Sequence, residues 1–469
     1  MRWGMRAIGL ISVVILARLL DPADFGIITM AGLLLGLLES FAELGMAMIV
    51  IRERELSRTD LDTAWTLRII QGLLLAALLA ILADPVAAYF HEPRVKGVIV
   101  LSAASQVLIS FENIGVALIR KELDFARDFW YQVIVRFISV AATIALAFAL
   151  HNYWALALAQ PVTAVTTVVL SYGFHPYRPR LNLKSWRRFL SFSANIVMTN
   201  IARFLSSRAD TFIVGSIATS EKMGLYNVAS ELSSMPSREL TVSVGRAMFP
   251  SLAKLPANSG EFLVTFFQVI GLVSLICLPI GFGIWAVADD LVLVILGAKW
   301  TGASKLIVYL AFYGTLVSLI EILIGHILIV TGHEQRQMVA MWIRGLLLAG
   351  CGAIGILGGV EGVAIGATVS SALMFGVSIW MLRVTLNCRY AEFVSIFWRP
   401  TVAAVVMAAV VRYAVSAINL PVPARFACAV VIGVTTYFTL LTLLWVTAGK
   451  PAGAESAIIQ SLGRREART

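Results

Sequence analysis

Apolar runs about one membrane crossing long, separated by short polar turns, recur along this chain from end to end. A helix rises about 1.5 Å per residue, so about 20 residues carry it across the hydrocarbon core of a bilayer. Cutting the runs at charged, Pro-rich or Gly-rich breaks predicts about fourteen helical segments. In the first half they span residues 3–20, 25–50, 62–83, 97–119, 128–150 and 153–174. In the second half they span 188–217, 222–250, 261–287, 303–330, 337–357, 362–386, 396–417 and 424–447. The pattern predicts an all-α polytopic membrane protein.

Charge placement adds an orientation. One set of loops holds Arg52, Arg54 and Arg58, then Arg120, Lys121 and Arg127, then Arg178, Arg180, Lys184, Arg187 and Arg188, then Arg383, Arg389 and Arg399. The alternate loops hold only Arg94, Lys96, Lys222, Lys299, Lys305 and Arg425. Cationic loops are retained on the cytoplasmic side, so a bacterial inner membrane is expected, with both termini and the tail 448–469 in the cytoplasm. The first segment is expected to remain in the protein, because Met1–Leu20 has no small-residue cleavage site.

Composition narrows the function. The chain is 59% hydrophobic and 14% charged, and its net charge of +10 is scattered between apolar runs. A nucleic-acid partner would need those cations gathered on one solvated face. Cys277, Cys351 and Cys428 sit in apolar runs and Cys388 is alone in a basic loop, and the five histidines show no paired ligand spacing. No metal or other cofactor is expected. All loops are short, which leaves no soluble catalytic domain, so the expectation is a protein that is not an enzyme.

Two segments are too polar to face only lipid. Segment seven carries Ser191, Ser193, Asn195, Thr199, Asn200, Arg203, Ser206, Ser207, Arg208 and Asp210. In segment eight Asn227, Ser230, Ser234, Arg238 and Thr241 step by three or four residues and so share a helical face. Glu231 flanks that face, Glu239 and Arg246 share another, and Pro236 is expected to loosen the middle of the helix. An arginine near the bilayer centre costs about 2.5–3.5 kcal/mol on insertion scales, which predicts a wet cavity or a partner for Arg203 and Arg238. Hydroxyl and amide side chains suit a sugar, and the planar guanidinium fork suits a phosphate.

Each charge has a plainer reading beside that one. Arg203 can pair with Asp210, and Arg238 with Glu231 or Glu239. Arg208 can snorkel to water. Arg246 is an entry contact or a positive-inside anchor, and Arg18 a gate or a snorkelling side chain. Glu39 and Glu43, four residues apart on segment two, can take up protons, balance arginines or form a structural salt bridge. Trp130, Tyr131, Tyr153 and Trp154 read as interface anchors. Arg136, Glu321, His326, Arg344 and Arg412 read as isolated groups in local hydrogen bonds.

An internal repeat is also legible. Ile15–Leu34 reads ILARLLDPADFGIITMAGLL and Ile213–Leu232 reads IVGSIATSEKMGLYNVASEL, each passing through a polar turn to an aligned glycine, Gly26 or Gly224. A period of nearly half the chain predicts two six-helix lobes, residues 1–175 and 188–386, plus two final helices within 396–447.

The block ILARLLDPADFG at Ile15–Gly26, with Glu43, Leu44 and Gly45 and then Ile51 and Arg52, resembles the polysaccharide flippases (Wzx type) of the multidrug/oligosaccharidyl-lipid/polysaccharide exporter superfamily. The second block, DTFIVGSIATSEKMGLY at Asp210–Tyr226, resembles the start of the second lobe in that family. The resemblance implies a V-shaped central cavity lined by segments one, two, seven and eight. It also implies outward movement of an isoprenoid (undecaprenyl) diphosphate-linked oligosaccharide by alternating access, with membrane lipid, a polysaccharide polymerase and export machinery as partners. Relatives usually carry more residues before the first helix, whereas here Arg2 and Trp3 already abut it. Two other readings stay open: a drug or organic-cation antiporter of the same superfamily, and a polysaccharide polymerase or ligase.

Overall fold

The computed structural model describes the chain except residues 1, 43–49, 51–55, 191–192, 257–258, 326, 452, 455 and 457–469. The chain divides into two compact units, Met1–Gly224 and Leu225–Thr469. Among the described residues the secondary structure is helical throughout. Nine helical stretches among the described residues, not the fourteen expected, are long and apolar enough to cross a membrane, or ten if one bent pair is a single span; Ser193–Ile217 and Ser220–Ala253 are too polar to be among them.

The first unit contains α1 (Arg2–Leu19), α2 (Pro22–Ala42), α3 (Arg58–Tyr89), α4 (Arg94–Ser110), α5 (Phe125–Leu150), α6 (Trp154–Phe174) and α7 (Ser193–Ile217). Helix α3 starts at a capping box. The Ser57 hydroxyl accepts from the Asp60 amide at 3.1 Å and the Asp60 carboxylate from the Ser57 amide at 3.0 Å, satisfying two donors that the first turn leaves without helical partners. Helix α4 packs between α3 and α6, α5 lies against α6, and α2 against α4 and α7.

Segment four is not the continuous helix the apolar run predicts. It breaks after Ser110 and resumes as a limb, Gly115–Lys121, bent by 63°. Asn113 makes the break tolerable: its amide donates to Ser171 Oγ at 2.9 Å, its Oδ1 accepts from Gly115 N at 2.9 Å and its Nδ2 donates to Tyr177 O at 2.7 Å. A buried asparagine thus stands in for part of the helix ladder at the break, where an apolar setting makes unpaired backbone groups costly.

The stretch after α6 is stitched to α3. Asp62 accepts from the Tyr177 hydroxyl at 2.6 Å and the Arg180 amide at 2.8 Å, while Thr66 Oγ1 accepts from the Asn182 amide at 2.9 Å. These bonds fix residues 175–185 as an ordered strap, a feature that a polar, Arg-rich connecting sequence does not announce.

In the second unit α8 (Ser220–Ala253), which begins five residues upstream of it, is followed by α9 (Gly260–Ala286), α10 (Ala303–Ile320), α11 (Glu334–Gly355), α12 (Gly359–Leu386), α13 (Tyr390–Ala417) and α14 (Val422–Thr447). Its core runs from Phe262, Phe266 and Ile270 on α9 through Leu319 and Leu323 to Phe393, Met407 and Tyr437. The hairpin of α11 and α12 closes on glycines. A Cβ at Gly355 would lie 2.4 Å from Gly362 O, and one at Gly362 would lie 2.2 Å from Gly355 O. Small residues let membrane helices approach until their backbones touch.

A short helix, Ala288–Ile295, is tied to α14 by a forked ion pair, in which Arg425 Nε donates to Asp290 Oδ2 at 2.8 Å and Nη2 donates to Oδ1. Arg399, expected in a basic loop, lies within α13 and is only 6% exposed. Outward-facing aliphatic side chains are abundant; Ile81 is 70% and Ile354 73% exposed. Faces of this kind on helices of this length need lipid as their solvent.

Candidate functional site

Helix α8 carries the polar stripe as a continuous 34-residue helix that passes through Pro236. The stripe is about 80° wide at 100° per residue, and packing divides it along its length. Ser234 and Thr241, in the middle of the stripe, are 2% and 1% exposed. The Thr241 hydroxyl lies 3.4 Å from Cys277 Sγ on α9, and Gly314 of α10 admits the α8 backbone so closely that a Cβ there would come within 2.6 Å of Ser234 Cα. Asn227 and Ser230 are half-buried, and Arg238, on the outer edge, is exposed. Arg238 Nη2 donates to Ser234 Oγ at 3.3 Å, so the buried hydroxyl orients an exposed guanidinium.

The same outer face carries Glu231 and Arg246, both exposed, while Glu239 is half-buried on the flank. Ser233 and Ser237 are buried beside Ser234, and among the described residues their hydroxyls have no hydrogen-bond partner. Neither serine stands out in the sequence, because the stripe periodicity selects their neighbours.

On α7 of the first unit, Arg203 and Arg208 are exposed, and Asp210 is 2% exposed with the Thr211 hydroxyl donating to its Oδ1 at 3.3 Å. The two residues offered as a pair thus differ in burial, Arg203 exposed and Asp210 buried. Arg18 is exposed at the end of α1. Glu39 is exposed on α2 and accepts from Gln106 Nε2 of α4 at 2.6 Å. Glu43 and His326 lie outside the described residues, as do Arg52, Arg54 and the tail beyond Ser456.

Tyr131, expected as an interface anchor, is instead 4% exposed, and its hydroxyl donates to Glu112 Oε1 at 2.6 Å. The partner Glu112 is in turn paired with Arg68 at 2.5 Å. Arg68, Gln106 and Glu112 form a second polar centre that sequence periodicity missed, because it joins one residue of segment three to two of segment four that are six residues apart and share no helical face. Arg412, expected in local hydrogen bonds, lies over the Trp285 ring with its guanidinium carbon 5.1 Å from the centroid.

Long apolar helices with lipid-type outer faces, beside two helices that carry cationic and hydroxyl-bearing faces, define a polytopic membrane protein fold. Solved structures of similar architecture include the lipid II flippase MurJ in an inward closed conformation, with a TM-score of 0.78, 14% identity, and 95% of this chain and 98% of that chain covered. An inward-facing multidrug resistance MATE family transporter of the MOP superfamily aligns with a TM-score of 0.60 at 13% identity, covering 82% of this chain and 96% of that one. Residues 15–305 match the family described as "Polysaccharide biosynthesis protein", and the chain belongs to that family.

Among curated relatives, the lipopolysaccharide biosynthesis protein WzxC of Escherichia coli (strain K12) is 24% identical over 409 residues, covering 84% of this chain and 81% of that protein. The succinoglycan biosynthesis transport protein ExoT of Rhizobium meliloti (strain 1021) is 23% identical over 421 residues, covering 88% and 84%. The chain is a multi-pass membrane protein of the polysaccharide biosynthesis family.

Proposed function

We propose that this protein is a lipid-linked oligosaccharide flippase, moving an isoprenoid diphosphate-linked sugar repeat unit from the cytoplasmic to the periplasmic leaflet for polysaccharide biosynthesis. The observation that carries the reading is Arg238: an exposed guanidinium on the polar face of a 34-residue helix, oriented by Ser234, in a chain of the polysaccharide biosynthesis family. Moving a sugar headgroup through hydrocarbon unaided would strip several hydrogen bonds at about 2–7 kcal/mol each. A protein face of hydroxyls, amides and guanidinium groups replaces those bonds while the lipid tail stays in the bilayer.

In this reading Arg238 and Arg203 are headgroup contacts, with Asn227 and Ser230 beside the former and Ser234 as its positioning residue. Thr241 anchors α8 to α9. Arg18, Glu39, Glu43, Asp210, Glu239 and Arg246 serve in gating or charge balance. The lobes 1–175 and 188–386 are the alternating elements, with helices in 396–447 appended. The protein performs no covalent chemistry and uses no cofactor. It resides in the bacterial inner membrane with both termini in the cytoplasm, and it hands its product to a polymerase and export machinery.

Deleting the gene and recovering lipid-linked intermediates tests the reading. Complete repeat units are expected to accumulate on the cytoplasmic leaflet. Single units that still reach the surface would point to a polymerase and reject it. Complementation with Arg238→Ala is expected to cut polymer output at least tenfold, a loss of about 1.4 kcal/mol in recognition, at unchanged membrane insertion. Arg238→Lys should recover part of it, because an ammonium keeps the charge and loses the fork. Normal output from Arg238→Ala removes that residue from the site.

A further inference from the structure

We propose that the first unit contains a saccharide-binding subsite, a cavity of about 350 Å³ lined by Glu39 of α2, Arg68, Gln71 and Gly72 of α3, and Gln106 and Ser110 of α4. The inference rests on the flippase reading and adds to it a place where the sugar, as distinct from the diphosphate, is held. The cavity lies inside the unit and at depth. Arg68 is ten residues into α3 and Gln106 twelve into α4, about 15 and 18 Å along helices that start at opposite ends of the crossing. Polar groups at such depth mark a path or a binding site.

The walls are built and positioned. Arg68 Nη2 is held by Glu112 Oε2 at 2.5 Å and reaches Ile109 O at 3.4 Å; Glu112 Oε1 is held by the Tyr131 hydroxyl at 2.6 Å. Gln106 Nε2 donates to Glu39 Oε1 at 2.6 Å. Gln71 is half-buried, and among the described residues its side-chain amide has no hydrogen-bond partner, so it offers a donor and an acceptor to an occupant. The floor is a close pass of α3 and α4, where a Cβ at Gly72 would lie 2.5 Å from Ser110 Cβ.

The chemistry selects a neutral polyol. A diphosphate is disfavoured, because two carboxylates, Glu39 and Glu112, accompany one guanidinium. A metal cation is disfavoured, because both oxygens of Glu112 are already engaged by Arg68 and Tyr131, and that guanidinium faces the cavity. A sugar ring has vicinal hydroxyls that bridge amide, carboxylate and guanidinium groups, and a C–H face that fits Gly72, Leu75 and Ile109. The volume sits at the lower end of small-molecule pockets, about 300–1,000 Å³, which suits one or two sugar residues and not a whole repeat unit. A merely structural polar cluster needs no open space at its centre.

The protein in lipid nanodiscs is titrated with two probes: the lipid-linked saccharide extracted from the deletion strain, and undecaprenyl diphosphate without sugar. The wild type is expected to bind the saccharide-bearing lipid more tightly. Gln71→Ala, which breaks no bond in the folded chain, is expected to weaken that probe about tenfold and leave undecaprenyl diphosphate within about twofold. Gln106→Ala should do the same and serves as the second variant, while Arg238→Ala should weaken both probes alike. If both glutamine variants keep the wild-type preference, or the wild type shows no preference between the probes, the cavity holds only water and the subsite is rejected with the flippase reading intact. If the wild type binds neither probe, the flippase reading itself fails and takes the subsite with it.

Discussion

Gly26 and Gly224, aligned in the two copies of the repeat, meet in the folded chain. A Cβ on Gly26 would lie 1.7 Å from Ser220 O and 3.0 Å from Gly224 N; a Cβ on Gly224 would lie 1.8 Å from Pro22 O and 3.0 Å from Gly26 N. Pro22 and Ser220 occupy equivalent positions in the two copies. The contact is therefore reciprocal, and it brings together the starts of α2 and α8. Because each clash is with backbone, no side-chain rotation relieves it. Gly26→Ala is expected to destabilise the protein by about 3 kcal/mol, at the upper end for overpacking, visible as a lower unfolding temperature in detergent. Gly32→Ala, on the same helix with no atom within 4 Å of the added methyl, should be neutral. Equal behaviour of the two variants would mean the crossing is slack.

At the scale of elements, the strap over residues 175–185 has its own titration. His175 Nδ1 accepts from the Tyr177 amide at 3.1 Å, and the ring packs against Gly115. Burial holds the imidazole below its ordinary value of 6.5; Glu122 opposes the shift, and Arg127 and Arg178 add to it. A histidine lowered on folding stabilises the strap fully above 6.5, and that contribution fades as pH falls toward the folded value, since the free strap takes up the proton first. Hydrogen exchange at the Tyr177 amide, corrected for its intrinsic rate, is expected to be slower at pH 7.5 than at pH 5.5; equal protection would exclude the imidazole as acceptor. This strap and the break at Asn113 were hidden in the sequence, because both depend on partners more than 50 residues away. Most of the helices were legible because lipid imposes a minimum length and an apolar composition on each crossing. Arg68, Gln106, Glu112 and Tyr131 were not, since a cluster drawn from separate helices leaves no periodic trace in any of them. The α8 stripe fell between these cases: its spacing was readable, but packing on α9 and α10 decided which edge stayed open.

For the whole molecule, the proposed transport moves charge. A diphosphate carries about two negative charges outward, and each gains about 2.3 kcal/mol per 100 mV across an interior-negative membrane. Two charges at 100 mV gain about 4.6 kcal/mol, equivalent to about three orders of magnitude in the distribution between leaflets. That drive exists only if the arginines that hold the headgroup do not travel with it. Arg238 is tied to Ser234, a buried residue of its own helix, so the guanidinium stays with the protein when the headgroup leaves and resets without it. Proteoliposomes loaded with the lipid-linked saccharide on one leaflet, with a potassium diffusion potential imposed by valinomycin, read this directly. Flipping is expected to speed up when the loaded side is negative and to slow when the polarity is reversed. A rate indifferent to the imposed potential would mean that protein charge moves with the headgroup, and the energy for export would then have to come from a coupled ion.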